Sequence, residues 1–347
     1  MKEVKCVIWD LDNTIWKGIL LEDKTVELRD GIREVLEELD DRGILHSVAS
    51  KNNYEEAIAK LTELGIVHYF LFPQIGWNAK SHAVLRIHEQ LNLGIDTFLF
   101  IDDQPFEREE VKNVHQEISC IDAADFRLLL TDKRLQPKFI TSDSRRRRIM
   151  YVEAMERTRE EEEFKGPREQ FLAQLNMELL ISPAAEADLE RAEELTLRTN
   201  QYNATGTVYS YDELNYFRTS PHHDLLVCEL TDKFGSYGKI ALALVEKLPS
   251  YWHLRMMLVS CRVISHGIGT VLINYILNQA FQNNKKVSAD FQQTSSNRMM
   301  YLTFKFAGFM EISGKAGFIL FENGAAQPVK LPGYIKITDH QLISKWK

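Results

Sequence analysis

Between residues 4 and 125, short apolar runs alternate with stretches whose apolar positions recur every three or four residues. The runs are VKCVIW, ILHSVAS, YFLFPQI, TFLFIDD and ISCIDA; GIREVLEELDDRG, YEEAIAKLTELGI and KSHAVLRIHEQLNLG lie between them. Unbroken apolar strands separated by amphipathic helices predict a parallel sheet covered on both faces, a doubly wound α/β domain. Functional groups in such a sheet gather where strands end and helices begin.

The pattern then changes. Residues 142–176 read as a charged helical connector, with Ser142 or Asp143 as a cap and Gly166-Pro167 as a break. From about residue 178 a strand, MELLISPA, leads into a helix, DLERAEELTLRTNQ. DLLVCELTD and GKIALALVEKL read as antiparallel neighbours joined by the FGSYG turn. WHLRMMLVSCRV is a further strand that feeds SHGIG and the long helix TVLINYILNQAFQN, before a last strand, KVSADFQ. The expected division is 1–135, a helical linker 136–176, an α+β domain 177–325 and a tail 326–347 without readable signal.

Charge and composition narrow the partners. A net charge of −8 argues against nucleic acid, whose phosphates require a concentrated basic surface. The run Arg145-Arg146-Arg147-Arg148 and the run Glu160-Glu161-Glu162-Glu163 share one expected helix, which predicts a solvated, ion-pairing face. No apolar stretch approaches the roughly 20 residues that cross a bilayer, and MKEVKCVIWD has no signal-peptide core. The four cysteines, Cys6, Cys120, Cys228 and Cys261, are scattered without a CxxC pair and read as reduced thiols. A cytoplasmic protein without membrane contact is expected.

The ends of the first-half strands carry the chemistry. Asp10 and Asp12 follow the first, Ser50 the second, Lys80 opens the helix after the third, and Asp102 and Asp103 follow the fourth. In a parallel sheet these ends share one edge, so a hydroxyl, an ammonium and four carboxylates converge. Carboxylates suit a hard cation, whereas a serine and a lysine suit a phosphoryl group. Together they are equipment for phosphoryl transfer. In DLDNT, the serine, the lysine and the paired aspartates, the chain resembles the haloacid-dehalogenase (HAD) superfamily. The resemblance implies Asp10 as nucleophile, Asp12 as general acid and base, and Ser50, Lys51 and Lys80 on the phosphoryl oxygens. It further implies a Mg2+ site made by Asp10, the Asp12 carbonyl, Asp102 and Asp103. Between these motifs there is room for one helix and its strands only, so the domain is expected to be capless.

The second half contains Gly267 and Gly269 in a strand-to-helix turn and NRMMYLTFKFAGF, with Asn297 and Tyr301. In this it resembles the N-acetyltransferase (GNAT) fold, where a glycine turn opens a helix that binds the pyrophosphate of coenzyme A; Ile264 stands where that family favours Gln or Arg. Gly267 and Gly269 are equally explained by a tight turn. RTNQYNATG offers Asn200, Gln201 and Asn203 either as helix-end punctuation or as the lining of an acyl or pantetheine pocket. Cys261 reads either as a core residue or, beside Arg262, as a thiolate at the cleft mouth.

Taken from VKCVIWDLDNT to MMYLTFKFAGF, the chain resembles the FkbH-like family, HAD subfamily IIIC. The resemblance implies transfer of a glyceryl unit from 1,3-bisphosphoglycerate to an acyl carrier protein, acting in trans through its phosphopantetheine arm, in polyketide biosynthesis. Many such relatives have a cysteine before the second-motif serine; this chain has Ala49. An acyl-enzyme would therefore need Cys261, or the carrier thiol would be loaded directly. A phosphatase for another phosphorylated metabolite or carrier-bound intermediate, and a non-catalytic carrier-binding module, are the alternative readings.

Overall fold

The computed structural model describes residues 2–23, 25–324 and 327–339. Two compact units divide the chain, 1–155 and 156–347. The division falls inside the expected 136–176 connector, within one helix.

In the first unit, β1 (Cys6–Trp9), α1 (Ile32–Asp41), β2 (Leu45–Ser50), α2 (Tyr54–Glu63), β3 (Gln74–Ile75), α3 (Lys80–Leu91), β4 (Phe98–Asp102), α4 (Pro105–Val114) and β5 (Ser119–Asp122) follow in sequence. The strands form an all-parallel sheet in the order β3-β2-β1-β4-β5. All four residues of β1 are buried, and they alternate between two cores: Val7 and Trp9 join one, Cys6 and Ile8 the other. That two-sided burial is why the strand reads as a continuous apolar run. His46 in β2 is buried with it, accepting a hydrogen bond from Trp9 Nε1 (3.0 Å), and burial pushes its imidazole down to about 3.

Two elements differ from the sequence reading. The run YFLFPQI yields only the two-residue β3, because Pro73 lacks an amide and interrupts the ladder; Phe70 makes a lone bridge to His46. Between β1 and α1 the chain forms a small hairpin, Trp16–Lys17 against Glu27–Leu28, and no inserted domain.

The helix α5 (Arg147–Glu163) follows. The arginine run 145–148 that leads into it pairs elsewhere than the glutamate run some three turns away, whereas Arg159 further along does pair with Glu163 (3.3 Å). Arg148 holds Asp40 and Arg145 reaches Asp41, both at the end of α1, while Glu160 pairs with Lys233 and Glu161 with Arg168.

The second unit contains α6 (Arg168–Gln174), β6 (Met177–Pro183), α7 (Leu189–Arg198), α8 (Tyr211–Thr219), β7 (His223–Asp232), β8 (Gly235–Lys247), β9 (Tyr251–Val259), α9 (Ile268–Gln282), β10 (Lys286–Gln292), α10 (Arg298–Phe306), β11 (Met310–Lys315), β12 (Phe318–Asn323) and β13 (Ile335–Asp339). Its mixed sheet runs β11-β12-β10-β9-β8-β7-β6-β13. β7 and β8 are antiparallel neighbours, as their pattern predicts. β9 and β10 are parallel over only four residue pairs, Tyr251–Leu254 against Lys286–Ala289. β13 pairs in parallel with β6 inside the stretch read as a signal-free tail, of which residues 326 and 340–347 lie outside the described ones. Among the described residues no helix is long and apolar enough to cross a membrane.

Candidate functional site

The parallel sheet delivers its chemistry to one edge. Asp10 directly follows β1, the central strand, and its amide is bonded to Ile101 of β4 (2.9 Å). Ser50 and Asp102 close β2 and β4, and Lys80 opens α3. Lys80 is only 4% exposed, and its ammonium bridges Asp10 Oδ1 (2.7 Å) and Asp102 Oδ2 (2.5 Å). Burial opposes that charge, but Asp10 and Asp102 together outweigh it and hold the lysine above its ordinary value.

The aspartates are not equivalent. One carboxylate oxygen each from Asp10, Asp102 and Asp103 lies within 4.8 Å of the others. Asp102 commits both oxygens, to Lys80 and to the Gln104 amide, and burial followed by the Asp10 charge pushes it up to about 6. Asp103 Oδ1 is buried without a partner, and burial, then Asp10, raises its carboxyl. An orphaned buried carboxylate oxygen and the two beside it outnumber the single Lys80 ammonium, and a divalent cation fits there. Of the adjacent pair, Asp103 is the one with an oxygen that accepts no hydrogen bond.

Asp12 lies outside that triad. Trp16 Nε1 (2.8 Å) and the Leu20 amide (3.0 Å) donate to one of its oxygens, and Asn52 (3.0 Å) donates to the other. Burial raises its pKa against the pull of those donors. Sequence reading missed Trp16 and Asn52; the signal available was the SKNN run directly after β2. Ser50 and Lys80 line a pocket of about 130 Å³. Lys51 does not: its ammonium is bonded to Glu107 (2.6 Å).

The second-half candidates are not gathered at one pocket: Gly267 lines one of about 700 Å³ with Thr270, Asn274 and Tyr334, which the other candidates do not line. Where β9 and β10 part, the segment 202–204 lies between them. The Val259 amide donates to the Tyr202 carbonyl (2.9 Å) and the Ala204 amide to the Met257 carbonyl (2.9 Å); on the other side the Gln292 amide donates to the Ala204 carbonyl (2.9 Å). Asn203 and Asn297 are buried as structural ties, with Asn297 Nδ2 donating to the Asn203 and Gln292 carbonyls. Asn200 and Gln201 are exposed, and the Tyr301 hydroxyl donates to Glu311 (2.6 Å). A Cβ on Gly269 would stand 2.4 Å from the Tyr202 ring, and Gly267 adopts φ +73° at the helix start, so packing and backbone geometry account for both glycines. The gap where β9 and β10 part is thus bridged by the chain itself, through the segment 202–204.

Cys261 is exposed at the start of a short 3-10 turn, so the core reading is overturned; Arg262 donates to the Tyr237 carbonyl (3.1 Å) and to Ser260. Cys6 and Cys228 are buried and Cys120 is half-buried, and burial pushes all three thiols up, Cys120 to about 11. A maleimide at neutral pH should therefore label Cys261 first, with peptide mapping as the check; equal labelling of Cys228 in folded protein would contradict this packing.

Residues 13–117 match the family model described as haloacid dehalogenase-like hydrolase, so the first unit holds a hydrolase domain of that type. The match begins just after Asp12. The chain is similar to the solved N-terminal part of a Bacteroides fragilis protein containing a phosphatase domain, complexed with Mg: 30% identity over 38% of this chain and 40% of that one, TM-score 0.33. It is also similar to the ribosomal-protein-S18-alanine N-acetyltransferase from Escherichia coli (16% identity, 44% of this chain, 99% of that one, TM-score 0.33). A GNAT-family acetyltransferase from Listeria monocytogenes gives 14% identity over 42% of this chain and 94% of that one, TM-score 0.32. No curated protein matches the chain.

Proposed function

We propose that Asp10 accepts the phosphoryl group of a small phosphorylated acid at a site holding Mg2+, and that the whole chain passes the glyceryl unit of 1,3-bisphosphoglycerate to an acyl carrier protein. One observation carries the phosphoryl reading: a buried ammonium lies 2.7 Å from Asp10 in an edge otherwise crowded with carboxylates. That arrangement fixes Asp10 where phosphoryl oxygens can be received. Asp10, Asp102 and Asp103 would hold the cation, which when bound neutralises charge on the phosphoryl oxygens.

Asp10 attacks phosphorus and the bond from phosphorus to the substrate oxygen breaks. Asp12, fixed by Trp16, Leu20 and Asn52, gives its proton to that leaving oxygen. Asp12 then takes a proton from the water that attacks the aspartyl-phosphate, releasing phosphate and restoring Asp10. Ser50 and Lys80 hold the phosphoryl oxygens. In the acyl step a thiolate attacks the donor's acyl carbon and the anhydride oxygen departs with phosphate. The thiol is that of the carrier or of Cys261, which is exposed.

Intact-mass spectrometry of a holo carrier protein incubated with the enzyme and 1,3-bisphosphoglycerate tests this. A glyceryl increment together with phosphate is expected, and Cys261→Ser should reduce loading well beyond its effect on phosphate release. Phosphate without a loaded carrier would favour the second reading, a phosphatase for another phosphorylated metabolite, with which the bridged gap between β9 and β10 agrees.

A further inference from the structure

We propose that Arg86, helped by His82, recognises a second anionic group of the substrate, so that the site selects small organic phosphates carrying a carboxylate or another phosphate at their far end. This rests on the phosphoryl-transfer reading of Asp10 and Lys80. The pocket that contains Ser50 and Lys80 also contains Asn78, His82 and Arg86, and no carboxylate lines it. The aspartates that Lys80 bridges, Asp10 and Asp102, are not among the residues that line it.

The geometry of α3 gives the pocket its reach. Lys80, Ala83 and Arg86 follow one another at intervals of three along α3, each a neighbour of the next, and all three line the pocket. Lys80 and Arg86 are separated by a rise of about 9 Å, too far for one phosphoryl group to meet both at their helix positions. Helical side chains lean toward the N-terminus, so the guanidinium of Arg86 is carried back toward Lys80 and into the pocket. Arg86 is also the one arginine of the first unit without a hydrogen bond or ion pair among the described residues. A guanidinium with no protein partner, at a carboxylate-free pocket, is suited to bidentate capture of a carboxylate or phosphate.

The test compares kcat/KM for glycerol 3-phosphate, whose tail is neutral, with 3-phosphoglycerate and 1,3-propanediol bisphosphate, using the full chain with Mg2+. In Arg86→Ala the preference for either charged-tail substrate over glycerol 3-phosphate should fall by about 10- to 100-fold, chiefly through KM, and Arg86→Lys should restore part of it. Preference for one charged tail alone identifies the anion as carboxylate or phosphate. An unchanged preference, or an equal loss on all three substrates, overturns the role of Arg86. If the wild type releases phosphate from none of them, the phosphoryl-transfer reading falls separately. Calorimetric titration with 3-phosphoglycerate then decides the pocket: binding lost in Arg86→Ala supports it, and no binding or equal binding overturns it.

Discussion

Asp10→Asn is expected to lower phosphate release by about 10³-fold or more while leaving the fold intact. The carboxamide is nearly isosteric and its oxygen can still accept from Lys80, which lies 2.7 Å from Asp10. It cannot serve as the nucleophile, and it contributes a dipole where the cation site needs a charge. The substitution also removes the charge that, after burial, lifts Asp102. Phosphate release and thermal melting measured side by side separate chemistry from folding. Excess chelator should silence the wild type in the same assay, and added Mg2+ should restore it. A mutant that turns over any accepted substrate at close to the normal rate removes Asp10 from the chemistry.

Asn297→Ala should cost the second unit about 2–4 kcal/mol, a fall of roughly 5–15 °C in its melting transition. Asn297 has no exposed surface; it donates to the Asn203 carbonyl (3.0 Å) and the Gln292 carbonyl (2.8 Å) and accepts from the Thr294 amide (2.9 Å). Alanine leaves the buried Asn203 carbonyl and the part-buried Gln292 carbonyl and Thr294 amide without that partner, and loosens the segment between β9 and β10. Differential scanning calorimetry reads the loss. A melting profile within about 1 °C of the wild type would mean that Asn297 does not hold this seam.

The legibility of these two regions differs for a physical reason. Asp10, Ser50, Lys80 and Asp102 sit next to strand ends, and a parallel sheet sends all such ends to one edge. Finding the strands was therefore enough to gather those residues. Trp16 and Asn52 reach Asp12 by side-chain direction, which no periodicity records. Asn203 and Asn297 read as pocket residues because an amide at a turn looks the same whether it binds a ligand or a carbonyl 94 positions away. β11 is exposed along its length and β13 is five residues with only Ile335 buried, so neither carries the apolar run that marks a strand. Pro73 had the opposite effect, cutting an apolar run that looked like a full strand down to β3.

The pairing of β13 with β6 bears on how the chain is made. Its cross-strand ion pair, Lys336 with Glu178, spans 158 positions. Every strand of the first sheet is contained between Cys6 and Asp122. During synthesis the first unit can therefore complete its sheet while the second is still being translated. β6 meanwhile waits with one edge unpaired until Ile335–Asp339 leaves the ribosome. A waiting edge is a template for another nascent chain, so the second unit is where aggregation during expression should begin, and slower translation upstream of residue 335 should worsen it.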